Sequence, residues 1–335
     1  KLEVFHHDCS TNDIVYAKLV YPLHATTEDD LPYLKLISSI IPLLGNKKRN
    51  YIENLEYINA YIGDFSCSLN LNPQISDPNN LNPTFSLKGK VLNRNIDKLF
   101  HLFVDTLSEI QLSDALRIKQ LILQIHNALE ARISKNAMGY AIQKSVASYS
   151  QSSYLSDSMS GVEYYSFIKN LVNDLNKKLP VVISKLKSIA KSLVHRNNPE
   201  LVLSCNSAQL KHIQKYNYFD IPSLDTSEYN EWQTYHLPNP VSSRAYIISS
   251  PVAFSAYGLH TENINDSLSS ALSISTQIIE NTYLHKKIRE QGGAYGSGVS
   301  YNHLSGNYIL HSYRDPHIKR SFEVFKQSFE DIYSK

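Results

Sequence analysis

Residues 283–301 have the sequence YLHKKIREQGGAYGSGVSY, which indicates a helix, a glycine stop and a strand in succession. Arg289 falls in the last turn of the predicted helix, where a positive charge suits the negative end of the helix dipole. Gly292 and Gly293 follow, and glycine most easily adopts the left-handed conformation that ends a helix. Tyr295 then begins a predicted strand. We therefore expect Tyr295 just beyond a tight turn at the end of a helix.

The same succession occurs earlier in the chain, as a comparison of residues 14–103 with residues 245–325 shows. Each copy begins with a β-type run, IVYAKLVY in the first and AYIISSPVAF in the second, and continues into a helix with apolar residues at spacings of three and four. A turn with a tyrosine follows, Tyr61 in the first copy and Tyr295 in the second, and then a predicted hairpin and an amphipathic helix. This order predicts an internal repeat.

The repeat predicts an α+β fold of two-layer α/β sandwich units, each with a mostly antiparallel sheet and helices on one face. Residues 1–222 are expected to form the first repeat with an inserted helical segment at about 104–200. Residues 223–243 form the predicted linker because prolines punctuate polar residues there, and residues 244–335 form the second repeat. The second copy is too short to mirror the first, so we expect it to be truncated and the chain to be a fragment of a longer polypeptide.

Composition excludes some classes of partner. The 33 basic and 31 acidic residues leave a formal charge of +2 and form no block of like charge. Neither nucleic acid nor an anionic membrane is therefore expected as a partner. No apolar run approaches the roughly 20 residues of a membrane-spanning helix, so we expect a soluble protein. Cys9, Cys67 and Cys205 are odd in number and far apart, which indicates neither a disulfide framework nor a cysteine zinc site.

The serine-rich stretch at residues 145–160 is open to two interpretations. Its composition is compatible with a flexible linker. Val146, Leu155 and Met159 are interleaved with the serines and give the stretch apolar surface to bury. We therefore expect an ordered segment.

Several motifs resemble one peptidase family in the same order. The main one is IREQGGAYG at residues 288–296, followed by SG at 305–306 and SYRDP at 312–316. Three motifs precede them in the chain: TNDIVY at 11–16, LPYL at 31–34 and the stretch at 154–164 that begins YLS. Together they resemble the C-terminal half of pitrilysin/insulinase-type zinc metallopeptidases, in the presequence protease and falcilysin branch. The resemblance spans nearly all 335 residues.

The resemblance implies one half of a clamshell enzyme. In that family two halves, each of two related α/β domains, close around a chamber that admits peptides and excludes folded proteins. The N-terminal half carries the zinc motif H-x-x-E-H, and none of the 13 histidines here begins that motif or H-E-x-x-H. The resemblance thus implies a zinc cofactor bound by the N-terminal half of the same polypeptide, and no metal in this chain.

Two groups of residues resemble metal ligands superficially. His126 and Glu130 have the i, i+4 spacing of a ligand pair, but that spacing is also common for contacts on a helix surface. His6, His7 and Asp8 are adjacent without a third ligand in view, which is more typical of an exposed strand. We expect neither group to bind metal.

The resemblance implies that Arg289 and Tyr295 are the catalytic residues of this half. A tyrosine hydroxyl can donate a hydrogen bond to the oxygen on which charge grows during peptide hydrolysis, and a guanidinium can hold a substrate carbonyl. Tyr61 matches Tyr295 in the repeat, but Leu55 stands where Arg289 would fall. Without the resemblance, a packed tyrosine and a helix-capping arginine would explain both residues.

Neighbouring residues are secondary candidates for substrate binding: Gly293, Ser297, Gly298 and Tyr301. A strand edge at residues 298–301 could pair with an extended peptide through main-chain hydrogen bonds. An exposed helix end and sheet face would explain the same residues without a ligand.

The leading hypothesis is part of a zinc metalloendopeptidase that degrades short unstructured peptides, in the cytoplasm or an organelle lumen of the mitochondrial or plastid kind. The chain would form chamber wall, supply substrate-binding groups and be inactive alone. The alternative is a non-catalytic relative that binds peptides or builds a complex, as happens with the processing-peptidase and respiratory-complex core subunits of the wider superfamily. A nucleotide-binding protein is disfavoured because the glycines follow a helix C-terminus, whereas phosphate loops lie at helix N-termini.

Overall fold

The computed structural model describes residues 2–194, 199–224, 227–240 and 243–333. The strands are β1 (Glu3–Asp8), β2 (Ile14–Pro22), β3 (Asp64–Asn70), β4 (Thr84–Leu92), β5 (Glu200–Cys205), β6 (Ala253–His260), β7 (Gly296–Asn302) and β8 (Asn307–Asp315). The α-helices are α1 (Leu31–Ile40), α2 (Tyr51–Tyr61), α3 (Ile96–Glu109), α4 (Ala115–Lys135), α5 (Ala137–Ser145), α6 (Gln151–Ser160), α7 (Val162–Asn173), α8 (Leu175–Leu193), α9 (Ser207–Lys215), α10 (Ser269–Ile279) and α11 (Ile318–Tyr333). A π-helix occupies Glu280–Glu290, and short 3-10 segments occupy Glu28–Asp30, Ile41–Leu43, Asn93–Asn95 and Asn217–Ser223. Among the described residues, no helix combines the length and apolar character needed to cross a membrane.

The chain divides into two compact units. The first contains Lys1–Asn72, Asn82–Leu123 and Leu171–Gln233, and the second contains Pro73–Leu81, Gln124–Asn170 and Thr234–Lys335. The middle of the predicted helical insertion therefore groups with the second sheet, because the backbone around Ser145 packs on Gly258 of β6. The division is discontinuous in sequence, so the boundaries 1–222, 223–243 and 244–335 stay a prediction.

The first unit is built on a five-stranded sheet in the order β1-β5-β2-β4-β3. Only β1 and β5 are parallel, and every other pair is antiparallel. One face of the central strands is buried, with Leu19 on β2 opposite Leu87 on β4. Helix α3 packs on β4 so closely that a Cβ at Gly89 would lie 2.3 Å from the Leu99 Cδ1 atom.

The second unit is built on a three-stranded antiparallel sheet in the order β6-β8-β7. Its core joins residues from α10, the π-helix, the turn before β7, β7, β8 and α11, namely Ile279, Tyr283, Leu284, Ile288, Ala294, Val299, Tyr308, Leu310, Val324 and Phe325. Burial of these side chains is the main source of stability for the unit, because each large apolar side chain contributes about 1.5–3 kcal/mol. The core also anchors the helix and strand that carry the candidate site.

The internal repeat is visible in the strand order. In both units the hairpin's second strand lies between the other two, as β2-β4-β3 and β6-β8-β7. In both, a helix ends just before the hairpin and another follows it. The predicted α+β class with mostly antiparallel sheets is thus confirmed. The β-type run at residues 245–254 predicts too early a strand, since β6 begins at Ala253, after Pro251, which has no N–H to donate.

The serine-rich stretch is ordered, as the sequence indicates. Most of it forms α6, whose first turn is capped by the Ser150 hydroxyl, which accepts a hydrogen bond from the Ser153 N–H at 3.2 Å. Leu155 and Met159 are buried. The apolar residues between the serines therefore decide the outcome.

Candidate functional site

A π-helix leads into the site. Glu280–Glu290 spans 11 residues, whereas π-helices usually occur as single turns and are frequent at functional sites. Tyr283, Leu284 and Ile288 anchor its inner side in the core, and Arg289 lies on its exposed side. The sequence predicted a helix here but not the wider turn.

The helix ends in the glycine stop that the sequence predicted. Gly293 has a φ of 74°, a left-handed value that favours glycine. Its N–H donates to the Arg289 carbonyl at 3.0 Å, and the Ala294 N–H donates to the Ile288 carbonyl at 3.2 Å. A Cβ at Gly292 would lie only 2.4 Å from that Ile288 oxygen. The turn is thus a widened form of the Schellman motif and places Tyr295 directly before β7.

Arg289 is exposed in the last turn and has a partner on its own helix. Its Nη1 atom lies 3.3 Å from Nε2 of His285, and Nδ1 of His285 lies 3.4 Å from Oε1 of Glu290. A neutral imidazole protonated on Nδ1 can accept from Arg289 and donate to Glu290 at once. His285 therefore orients the guanidinium. Sequence reasoning missed it, although its position four residues before Arg289 was a signal.

Tyr295 projects from the turn with 70% of its surface exposed. Its N–H donates to the Arg314 carbonyl at 3.3 Å, and its ring meets the Tyr313 ring edge-on with centroids 5.9 Å apart. Within the described part of the chain its hydroxyl has no hydrogen-bond partner. The backbone and ring are held, and the O–H is available to a ligand.

Arg314 also belongs to this site. Its guanidinium carbon lies 5.9 Å from the centroid of the Tyr295 ring and 5.6 Å from that of Tyr313. These distances fit cation–π contacts. The SYRDP motif contains this arginine, but nothing in the motif indicates that it lies beside Tyr295.

The secondary candidates are not all brought together. Gly293 forms the turn, and Ser297 and Gly298 follow Tyr295 on β7. The Tyr301 hydroxyl donates to the Glu262 carbonyl at 2.6 Å, so it is held inside the unit. The structure does not bring Tyr301 to the Arg289–Tyr295 turn.

Strand β7 lies at an edge of its sheet, where the sequence suggested peptide pairing. The Val299 N–H already donates to Oε2 of Glu280 at 3.2 Å. His311 lies opposite Gly298, and burial lowers the pKa of His311 while the Glu280 carboxylate partly opposes that shift. An extended peptide would have to displace Glu280 to pair with Val299.

Ordinary contacts explain both groups that resemble metal ligands. On α4, Nε2 of His126 lies 3.7 Å from Oε1 of Glu130, whose side chain is half exposed. On β1, Nε2 of His6 lies 2.9 Å from the Cys205 carbonyl. The residues that the structure describes include no cluster of three or more histidine, cysteine or acidic side chains placed to hold a metal. They therefore do not fit a zinc site.

Two family models match the chain. The model of the region associated with peptidases of family M16, subfamily C, matches residues 1–171, and the model of the PreP C-terminal domain matches residues 252–334. The second match includes the Arg289–Tyr295 turn and Arg314. The first covers half of the chain and shows family membership.

Characterised relatives match along nearly the whole chain. The chain is 24% identical over 327 residues to presequence protease 1, chloroplastic/mitochondrial, of Arabidopsis thaliana. This alignment covers 97% of the present chain and 30% of the Arabidopsis protein. The chain is 26% identical over 340 residues to the mitochondrial presequence protease of Saccharomyces cerevisiae, and this alignment covers 95% of the present chain and 33% of the yeast protein. The chain spans about a third of the length of these relatives.

Solved structures share the fold. The peptidase M16 inactive domain from Pseudomonas fluorescens superposes with a TM-score of 0.63 at 12% identity, over 98% of this chain and 76% of that one. The periplasmic protease PqqL from Escherichia coli superposes with a TM-score of 0.57 at 14% identity, over 98% of this chain and 34% of PqqL. The family matches, the relatives and the fold agree: the chain belongs to the peptidase M16 family, in its presequence-protease branch, and corresponds to part of the C-terminal half of these pitrilysin-type proteases.

Proposed function

We propose that this chain is part of the C-terminal half of a zinc metalloendopeptidase that degrades short unstructured peptides. The observation that carries the proposal is the Arg289–Tyr295 turn, which presents an exposed guanidinium and a phenol whose hydroxyl has no hydrogen-bond partner among the described residues. The chain contributes chamber wall and substrate-binding groups. As the family resemblance implies, zinc is bound by the N-terminal half of the same polypeptide.

Tyr295 and Arg289 have distinct roles in this proposal. When water adds to a peptide carbonyl, negative charge grows on the carbonyl oxygen. The Tyr295 O–H donates a hydrogen bond to that oxygen, and Arg289 binds a neighbouring carbonyl of the substrate backbone. Zinc, where bound, activates the attacking water.

The scaffold supports a preorganised donor. The Tyr295 backbone is bonded to Arg314, its ring contacts Tyr313, and Gly293 fixes the turn before it. A donor that is already oriented needs little reorganisation in the transition state. The His285 contact restricts the Arg289 guanidinium in the same way.

The test is Tyr295→Phe in the full-length protein, with hydrolysis of a quenched fluorescent peptide as readout. Loss of one oxyanion donor lowers kcat by about 10²- to 10³-fold, and we expect a fall of that size with little change in KM. Tyr61→Phe is the control because Tyr61, the last residue of α2, is the tyrosine that the sequence repeat aligns with Tyr295 but without the arginine, and it should leave kcat unchanged.

Two outcomes would contradict the proposal. An unchanged kcat in Tyr295→Phe would remove the oxyanion role. Peptide binding without hydrolysis by the full-length wild type would favour the non-catalytic alternative.

A further inference from the structure

Arg314 occupies a backbone position that suits glycine better. Its φ is 50°, in the left-handed region. On β6, Ala253 pairs with Asp315 and Phe254 pairs with Tyr313, so Arg314 is the extra residue of a β-bulge. Left-handed backbone disfavours residues with a Cβ, and bulges of this kind usually have glycine there. Bulges are also frequent beside active sites, where they redirect a side chain.

Hydrogen bonds of Asp315 and of the Arg314 carbonyl hold the backbone here. The buried Asp315 accepts a hydrogen bond from the His317 N–H at 2.7 Å and another from the Ser321 hydroxyl, at the start of α11. The Arg314 carbonyl accepts the Tyr295 N–H. The bulge therefore gives Arg314 a fixed place next to Tyr295.

The guanidinium itself remains available. It is exposed, contacts the rings of Tyr295 and Tyr313, and makes no ion pair with any described residue. An unpaired guanidinium presents a planar fork of N–H donors that matches a carboxylate. The aromatic contacts restrict its position without using those donors.

Charge around the turn favours a negative ligand. Residues 285–295 and 313–320 together contain six lysines and arginines but only two acidic residues. One of the two, Asp315, is buried and bonded within the fold. The excess of positive charge attracts anionic groups to this surface.

We propose that Arg314 is a substrate-binding residue that binds a carboxylate of the peptide beside the carbonyl presented to Tyr295. The inference rests on the proposed function and adds a substrate class, peptides with an acidic group near the cleaved bond. An acidic side chain and a free C-terminus offer the same chemistry.

The test uses the full-length protein and Arg314→Gly, since glycine adopts the left-handed conformation freely and should preserve the melting temperature. The substrates are peptides that differ only by Asp or Asn next to the cleaved bond, each with a free or amidated C-terminus. We expect wild type to prefer the carboxylate at one of these positions by about tenfold or more in kcat/KM, as for hydrogen bonds to charged groups. Arg314→Gly should lose this preference through a higher KM. If Arg314→Gly loses the preference for Asp over Asn, the bound carboxylate is an acidic side chain. If it loses the preference for a free over an amidated C-terminus, the bound carboxylate is the C-terminus.

Two further variants make the result decisive. Arg314→Asn repeats the test with another residue that tolerates left-handed backbone. Lys326→Gln removes an exposed charge on α11, outside the two ranges counted above, and should keep the preference. Two outcomes would overturn the inference: wild type shows no preference for the carboxylate, or both Arg314 variants retain the preference. If Tyr295→Phe lowers turnover at the same time, the proposed function still stands. Unchanged turnover in Tyr295→Phe would instead reject the proposed function.

Discussion

At the scale of single residues, the two glycines of the turn have different constraints. Gly292 lacks room for a Cβ, whereas Gly293 has room but a φ of 74°. At Gly293 the nearest atom to an added Cβ would be Cγ of Pro316 at 3.9 Å, so Gly293→Ala tests conformation alone. We expect it to lower the free energy of unfolding of the chain by about 1 kcal/mol, measured by urea denaturation.

Gly296→Ala is the control for that measurement. Gly296 does not have a left-handed φ, and its added Cβ would lie 3.9 Å from the Cβ of Tyr313. Its effect should stay within about 0.5 kcal/mol. Equal losses in both variants would show that the left-handed φ of Gly293 is not what requires glycine.

Local chemistry explains which parts of the site were predictable. The glycine stop and the place of Tyr295 follow from rules that act within a few residues, so the sequence indicated both. The left-handed Arg314 depends on a bulge opposite Ala253, which is distant in the sequence. No local pattern could therefore predict it.

At the scale of elements, the repeat was predictable because each copy keeps one order of strand, helix, hairpin and helix. The pairing of β1 with β5 was not, since Glu3 and its partner Glu200 lie at opposite ends of the first unit's sequence. The π-helix leaves a signal in the spacing of its apolar residues. Tyr283 and Leu284 follow the buried Ile279 by four and five residues, and Ile288 follows them by five and four. Apolar residues on one face of an α-helix recur instead at spacings of three and four.

An ion-pair network in the second unit holds the end of α5 to α6 and α7. Lys144 bonds to Oδ2 of Asp157 at 2.7 Å and also to Glu163. The Asp157 side chain is 3% exposed, while that of Glu163 is 52% exposed. We expect Asp157→Ala to lower the free energy of unfolding by about 3 kcal/mol, because it removes the buried partner of Lys144 and also the carboxylate oxygen that accepts the Val162 N–H at the start of α7.

Glu163→Ala is the matched comparison, since it removes the exposed partner of the same lysine. It should cost under about 1 kcal/mol. Urea denaturation of both variants measures the two losses of unfolding free energy. A similar loss in the two would mean that burial does not determine the strength of this network.

At the scale of the whole molecule, the family was predictable because its motifs occur in one order along nearly all of the chain. The roles of Arg289 and Tyr295 stay a proposal, because they depend on a substrate and on the N-terminal half that the family resemblance implies. The chain covers about a third of the length of its relatives. In the proposed function the chain supplies donors and charge, and the rest of the polypeptide supplies the other catalytic groups.

The proposal that zinc lies in the N-terminal half gives the last prediction. None of the 13 histidines begins a zinc-peptidase motif, and the described residues contain no ligand cluster. We therefore expect the purified chain of residues 1–335 to hold well under one zinc per molecule by mass spectrometry and to leave a fluorogenic peptide intact. The full-length protein is the positive control: it should cleave the peptide and lose activity when a chelator removes zinc. Stoichiometric zinc together with hydrolysis by the chain alone would place the reaction in this half and contradict the assignment of Arg289 and Tyr295 as groups that act on a partner's active site.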